Sequence, residues 1–179
     1  MKSRHATERY DEVVLACHSD QSLALLADAD DGERGILQAV RYQRNRAVLH
    51  TDTALMPKLR SVWSSWNYLS DGGAEPAVSV TYLLNRLQPL PFATPVMVTL
   101  NPVAEPAPDK VLAEFDYAHP VFDGAAIAAQ RRLPEVQGRR HVWLAGAWTG
   151  YGFHEDGLKS GLGVAQAILD SAGARRLAA

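Results

Sequence analysis

The apolar positions of this chain fall into short runs separated by turn signals, and two of those runs read as buried strands. They are Val13-Val14-Leu15-Ala16 and Val142-Trp143-Leu144-Ala145. Neither alternates with polar residues, as expected for parallel-type strands covered on both faces. After the second run, Gly146 and Gly150 punctuate a loop. From Asp156 the spacing becomes helical, with Leu158, Leu162, Ala165 and Leu169 four, three and four apart. Gly157 and Gly161 sit one turn apart, where bare backbone lets another element come close. A strand, a glycine loop and a helix start in succession make a natural anion or cofactor site. Free N–H groups and the positive end of the helix dipole converge there.

The rest of the chain divides more loosely. Asp20 is placed to cap a helix through Leu23, Leu25, Leu26 and Ala27. Asp28 to Gly32 is an acidic loop, and Glu33 to Val40 a second helical piece. The second half of the stretch from Arg41 to Asp52 reads as a strand. Val62 to Tyr68 reads as an aromatic strand with Trp63 and Trp66 facing opposite sides. Asp71-Gly72-Gly73 is a turn signal, and Ala77 to Leu84 a strand passing into a helix. Val96 to Leu100 and Val111 to Tyr117 are further strands, and Asp123 to Arg132 is an Ala-rich helix. Strands that follow one another without long helices between them predict a mainly antiparallel middle sheet. The expected fold class is mixed α/β, with a β-rich region at 40–120 between two flanking pieces, 1–39 and 121–179.

Composition changes this picture little. Hydrophobic residues make up 47% and charged residues 21%, ordinary proportions for a globular chain. A net charge of −2 gives no basis for binding nucleic acid or an anionic membrane. The single cysteine, Cys17, excludes an internal disulfide and points to a reducing compartment; it reads as packing rather than chemistry. No run approaches the roughly 18 apolar residues of a membrane span. No signal peptide precedes the first strand, so a cytoplasmic protein is expected. No Gly-x-Ser-x-Gly elbow, zinc-binding His-Glu-x-x-His or phosphate loop occurs. His5, His18, His50, His119, His141 and His154 show no ligand spacing, so no metal is expected.

Leu144-Ala-Gly-Ala-Trp-Thr149, followed by Glu155-Asp-Gly-Leu-Lys-Ser-Gly161, resembles the C-terminal flavin-binding segment of the flavin-containing amine oxidase superfamily. That family includes amine oxidases, phytoene-type desaturases and protoporphyrinogen oxidases. The resemblance is close over about 25 residues and weaker over most of the chain. It implies FAD as cofactor, a Rossmann-like domain to which the last strand and helix belong, and a substrate-type sheet at 40–120. It further implies that Ala145, Gly146, Ala147, Thr149, Glu155, Gly157, Leu158 and Gly161 line the FAD, Leu158 through its backbone N–H. Phe153 stands where the family carries an aromatic residue beside the flavin. It is the candidate catalytic position, facing substrate, or it packs under the loop. The run at Val13 resembles the family strand that returns the chain to the FAD domain. His18, just after it, either caps the next helix or contacts the cofactor.

Three departures stand out. Ala147 replaces an acid, Asp156-Gly157 replaces Gly-Ala, and no lysine lies between Arg41 and Asp52 to hold a water near the flavin. The last argues against ordinary amine oxidation. Asn45, Arg46 and Ala47 occupy that neighbourhood instead, and the cluster Arg41, Arg44 and Arg46 reads as a site for an acidic group or as a solvated strand edge.

The fingerprint Gly-x-Gly-x-x-Gly is absent. The expectation is a C-terminal portion of a longer flavoprotein, partnered by an N-terminal FAD-binding unit, neither retaining FAD nor active alone. Two function classes follow. One is an FAD-dependent oxidoreductase taking hydride from a C–N or C–C bond of a small molecule. The other is a non-catalytic domain or truncated fragment acting through protein contacts. Without sheet neighbours the first and last strands would show open edges, which predicts a homo-oligomer.

Overall fold

The computed structural model describes residues 6–70, 72 and 78–177. Asp71, Gly73 and Ala77, which belong to the expected turn and strand, lie outside the described residues; Gly72 has φ +72°. The elements in chain order are β1 (Val13–Leu15), α1 (Ser19–Leu25), α2 (Asp31–Ala39), β2 (Arg41–His50), β3 (Trp66–Ser70), β4 (Val78–Leu83), α3 (Leu84–Leu87), β5 (Met97–Leu100), β6 (Val111–Val121), α4 (Gly124–Arg132), β7 (Val142–Leu144) and α5 (His154–Leu177). The class is mixed α/β. β1 and β7 form a parallel pair, and the other strands an antiparallel sheet ordered β3-β4-β5-β2-β6. No helix among the described residues is long and apolar enough to cross a membrane. The chain divides into two compact units, Met1–Tyr42 with Pro120–Ala179, and Gln43–His119.

In the first unit, Leu15 and Leu144 of the parallel pair join Ile36, Leu37, Val40, Ala126, Ala129 and Trp148 in one apolar core. α2 begins in a reciprocal cap: Asp30 accepts the Glu33 N–H at 2.9 Å and Glu33 accepts the Asp30 N–H at 2.8 Å. Asp20 is not the cap expected for α1. It lies within the first turn, and His18 occupies the cap position. The reason is the exit from β1: the His18 ring stacks on Tyr42 at 4.3 Å, and the Tyr42 hydroxyl accepts the Ser19 N–H at 2.8 Å. The helix therefore starts at once.

The outer edge of β7 is not the open edge expected. The Gln137 side-chain amide donates to the Leu144 carbonyl at 2.7 Å and accepts its N–H at 2.8 Å, while the Gly138 N–H bonds Val142 O at 2.9 Å. One planar amide, carrying a donor and an acceptor, stands in for a neighbouring strand. Gly138 has φ +70°, and a Cβ there would lie 2.6 Å from the Trp143 ring. Arg139 pairs with Asp30, and Arg140 with Asp28 and the buried Glu33. Arg41 reaches Asp123 at 2.7 Å.

In the second unit, the register alternates two kinds of cross-strand row. Trp66, Tyr82, Val98 and Leu49 form one row; Asn67, Thr81, Thr99 and Val48 form the next, on the opposite face. The second row is buried and the first is only half covered. The packed face thus carries the polar residues. Met56 and Trp63, from the segment after β2, cover it against Leu83 and Met97. Trp63 lies outside β3, because residues 60–62 form a tight helical turn rather than the expected strand.

The polar groups on the packed face satisfy one another. His50 Nδ1 accepts the Asp52 N–H at 3.1 Å, which leaves Nε2 to donate to Thr99 Oγ1 at 2.8 Å; the Thr99 and Thr81 hydroxyls share a further hydrogen bond of 2.8 Å. β2 lies between β5 and β6, so its arginines are not on a strand edge. Arg46 bridges Glu105 and Glu114 at 2.8 and 2.9 Å.

Candidate cofactor-facing site

Because β1 and β7 are parallel, the residues that follow them, Cys17 and His18 on one side and Gly146 and Ala147 on the other, emerge at the same end of the pair. The Ala145 N–H extends the ladder to Leu15 O at 3.0 Å. The carboxyl ends of parallel strands are where α/β folds bind ligands.

From there to α5 the loop is clamped at every turn. Trp148 is buried and its Nε1 donates to Cys17 O at 3.0 Å. Gly146 has φ +147°, and a Cβ on it would stand 2.8 Å from the Trp148 ring. Packing under Trp148 therefore requires glycine there. The Gly146 N–H donates to Ser160 Oγ at 2.9 Å, and the Ser160 hydroxyl donates to Gly157 O at 2.8 Å. The Thr149 hydroxyl donates to Gly146 O at 2.8 Å. Gln130 of α4 donates to the carbonyls of Trp148 and Gly150 at 2.9 and 2.6 Å. One Asp156 oxygen accepts the N–H groups of Tyr151 and Phe153 at 3.1 and 3.0 Å. The departure at Asp156 is thus a loop clasp, and Gly150 leaves room for it, since a Cβ there would lie 2.7 Å from the carboxylate.

The expected site residues separate into three groups. Gly146, Ala147, Thr149 and Gly157 come together; a Cβ on Gly157 would stand 3.7 Å from the Ala147 nitrogen, an ordinary contact, so the position does not require the bare backbone expected for it. Ala145 is buried behind them, and Gly161 has no atom within 4 Å of the position its Cβ would take. Phe153, Glu155 and Leu158 are exposed, Glu155 lying 3.5 Å from Lys159. The Phe153 ring is 58% exposed, so it does not pack beneath the loop.

Two expectations change at α5. The helix starts at His154, two residues before the periodic pattern, which makes Leu158 its fifth residue. The helical pattern commits the Leu158 N–H to the His154 carbonyl. The helix-start amides with no partner among the described residues are instead those of His154 and Glu155. The apolar row Leu158, Leu162, Ala165 and Leu169 also points outward, and α5 packs through Gly157, Ser160, Val164, Ala167 and Ile168. Val164, Ala167 and Ile168 give that face its apolar contact with Trp143 and Ala145.

Beneath the loop lies a cleft of about 290 Å³ bordered by Leu133, Trp143, Thr149, Ser160 and Val164. Sequence reasoning missed Gln130, Trp148, Ser160 and Tyr42, whose contacts join positions up to 131 residues apart. Burial pushes the Tyr42 phenol above its ordinary value of 10.0. Among the described residues no three His, Cys, Asp or Glu side chains group to hold a metal ion.

FAD fits this arrangement on one flank. The small residues at 146 and 147 and the two unspent amides suit the ring system, whose pyrimidine edge carries carbonyl acceptors. The pyrophosphate does not fit. The N–H groups of Tyr151 and Phe153 are taken by Asp156, whose negative charge at the helix start opposes a phosphate. No model of a known protein family matches this chain, and no curated protein matches it. The likeness to the amine oxidase superfamily rests on the residues quoted above.

Proposed function

We propose that this chain forms the flavin-flanking and substrate-side part of an FAD-dependent oxidoreductase that takes hydride from a C–N or C–C bond of a small molecule. The observation that carries the reading is the clamped loop from Gly146 to Phe153. It is fixed at the carboxyl ends of two parallel strands and delivers two unspent amides at the start of α5. FAD, when bound, supplies the two-electron acceptor. The His154 and Glu155 amides stabilise negative charge on the ring edge, and Gly146 and Ala147 admit it closely. Phe153 borders the substrate side. The pyrophosphate is held by a separate dinucleotide-binding unit, the partner this reading requires.

Titration of the chain with FAD and with riboflavin, followed by flavin fluorescence, tests this. Equal and weak affinity for both is expected, because no group here gains from the phosphates. Tight stoichiometric FAD binding refutes the division of labour, and no perturbation of either flavin refutes the flank itself.

A second reading, a non-catalytic module acting through protein contacts, is favoured by the outward apolar row Leu158, Leu162 and Leu169. Self-association without any flavin effect is its signature.

A further inference from the structure

The segment between β2 and β3 makes a closed tip in the second unit. Leu55 and Met56 are buried at its base. The Trp63 indole N–H donates to Pro57 O at 2.7 Å, and the N–H groups of Val62 and Trp63 bond the carbonyls of Leu59 and Arg60 at 3.2 Å. These bonds hold the loop shut, so a partner would not have to order it.

What the tip presents is unusual for a solvated turn. Lys58, Leu59, Arg60, Ser61 and Val62 are exposed in succession, Leu59 at 67% and Val62 at 55%. Among the described residues neither Lys58 nor Arg60 has a carboxylate partner, a state they share with Arg34, Arg44, Arg86 and Arg131, but only here do two such cations stand in succession with exposed aliphatic side chains. The Arg60 guanidinium lies 5.1 Å from the centroid of the Trp63 ring. Exposed Tyr68 and Leu69 stand beside the tip, sharing with Pro57 and Lys58 the wall of a cavity of about 330 Å³. Across the same segment, Lys58, Arg60 and Trp63 border another of about 400 Å³.

We propose that this tip docks on an anionic phospholipid bilayer. Leu59 and Val62 enter the boundary between headgroups and acyl chains. Lys58 and Arg60 meet lipid phosphates, and Tyr68 sits at headgroup depth. Charge complementarity selects this occupant: two cations without counter-ions flank two aliphatic side chains on a pre-closed loop. A protein groove that buried the aliphatics would also have to desolvate both cations, whereas a headgroup layer keeps them wet. The association is weak and reversible, since two cations and two aliphatic side chains amount to a single anchoring signal. It is independent of the flavin reading.

The test is flotation of the whole chain with vesicles of phosphatidylcholine, with and without about a third phosphatidylglycerol. Binding is expected only with the anionic lipid, and it should fall as salt rises from about 0.1 M to about 1 M, where screening shortens to a few ångströms. The double variant Lys58→Gln with Arg60→Gln should bind roughly thirtyfold more weakly, the factor expected for two lost surface cations. Leu59→Asp should reduce binding at unchanged circular dichroism. All three substituted positions are exposed, so folding is not at stake. Equal flotation with both vesicle types, wild-type binding by the double variant, or full competition by soluble glycerol phosphate would each overturn the proposal.

Discussion

His50 is fully buried, and its ring sits in a chain of polar groups that can be satisfied only when it is neutral. A protonated ring would set an N–H against the Asp52 N–H. Burial holds its pKa below the ordinary 6.5, opposed by the nearby Asp52 carboxylate. With the folded pKa depressed, the unfolded chain takes up the proton first as pH falls. Stability is therefore full above about pH 6.5 and declines below it. Urea unfolding between about pH 7.5 and pH 5 should show this loss, and His50→Gln should flatten it. Thr99→Val strands the His50 donor and the Thr81 hydroxyl, at a cost of about 1–3 kcal/mol. Asp52 behaves as a second acid-sensitive group. The Ala107 N–H, Lys110 and the Ala54 N–H hold it at about 2, so its contribution is present above the ordinary 3.8 and lost only in stronger acid. At the candidate site, Phe153→Ala in the flavin-bearing protein should lower turnover while flavin content stays constant. Parallel loss of flavin would assign the ring to holding the cofactor rather than to turnover.

Elements here are finished by side chains as much as by backbone. β7 is three residues long, and one of its edges is completed by Gln137 rather than by a strand. Gln137→Ala leaves both backbone groups of Leu144 without partners, for about 1–3 kcal/mol. It also bares an edge that another strand can pair with. The expected result is a lower denaturation midpoint and a rise in mass by light scattering. An unchanged midpoint would mean that water replaces the amide at no cost. The same logic explains α5. Its apolar period was legible, yet the face that packs is the one carrying Gly157, Ser160, Val164, Ala167 and Ile168, because Trp143 and Ala145 meet that side of the helix.

Across the whole molecule the apolar surface exceeds what the chain itself covers. Tyr68, Trp66 and Val78 in the second unit, and Leu158, Leu162 and Leu169 on α5, all remain exposed. Exposed rows of this kind mark surfaces that meet a partner. Self-association is therefore expected, carried by the α5 row rather than by the capped edge of β7. Leu162→Glu should shift the mass from light scattering toward the monomer, and an unchanged mass would remove α5 from the contact. Both the dinucleotide-binding unit proposed above and a second copy of this chain would use such surface, so the flavin titration distinguishes them.

The sequence alone carried the class and most of the strands and helices, because apolar period and turn residues act locally; it did not foresee the turn that takes Val62 and Trp63 out of β3. Val13–Leu15 and Val142–Leu144 were readable as parallel-type strands from runs too apolar to alternate, but that they pair with one another was decided by the tertiary structure. The glycine loop after β7 was readable too. Tertiary structure alone decided which face of each element turns inward. Alternation defines two faces of β4 and β5 but does not say that Thr81 and Thr99 are the buried ones; that depends on Met56 and Trp63 arriving from the segment after β2. The site follows the same rule. Its glycines were visible as glycines, whereas Gln130, Trp148, Ser160 and Asp156, which fix where those glycines stand, act through contacts that no local pattern encodes.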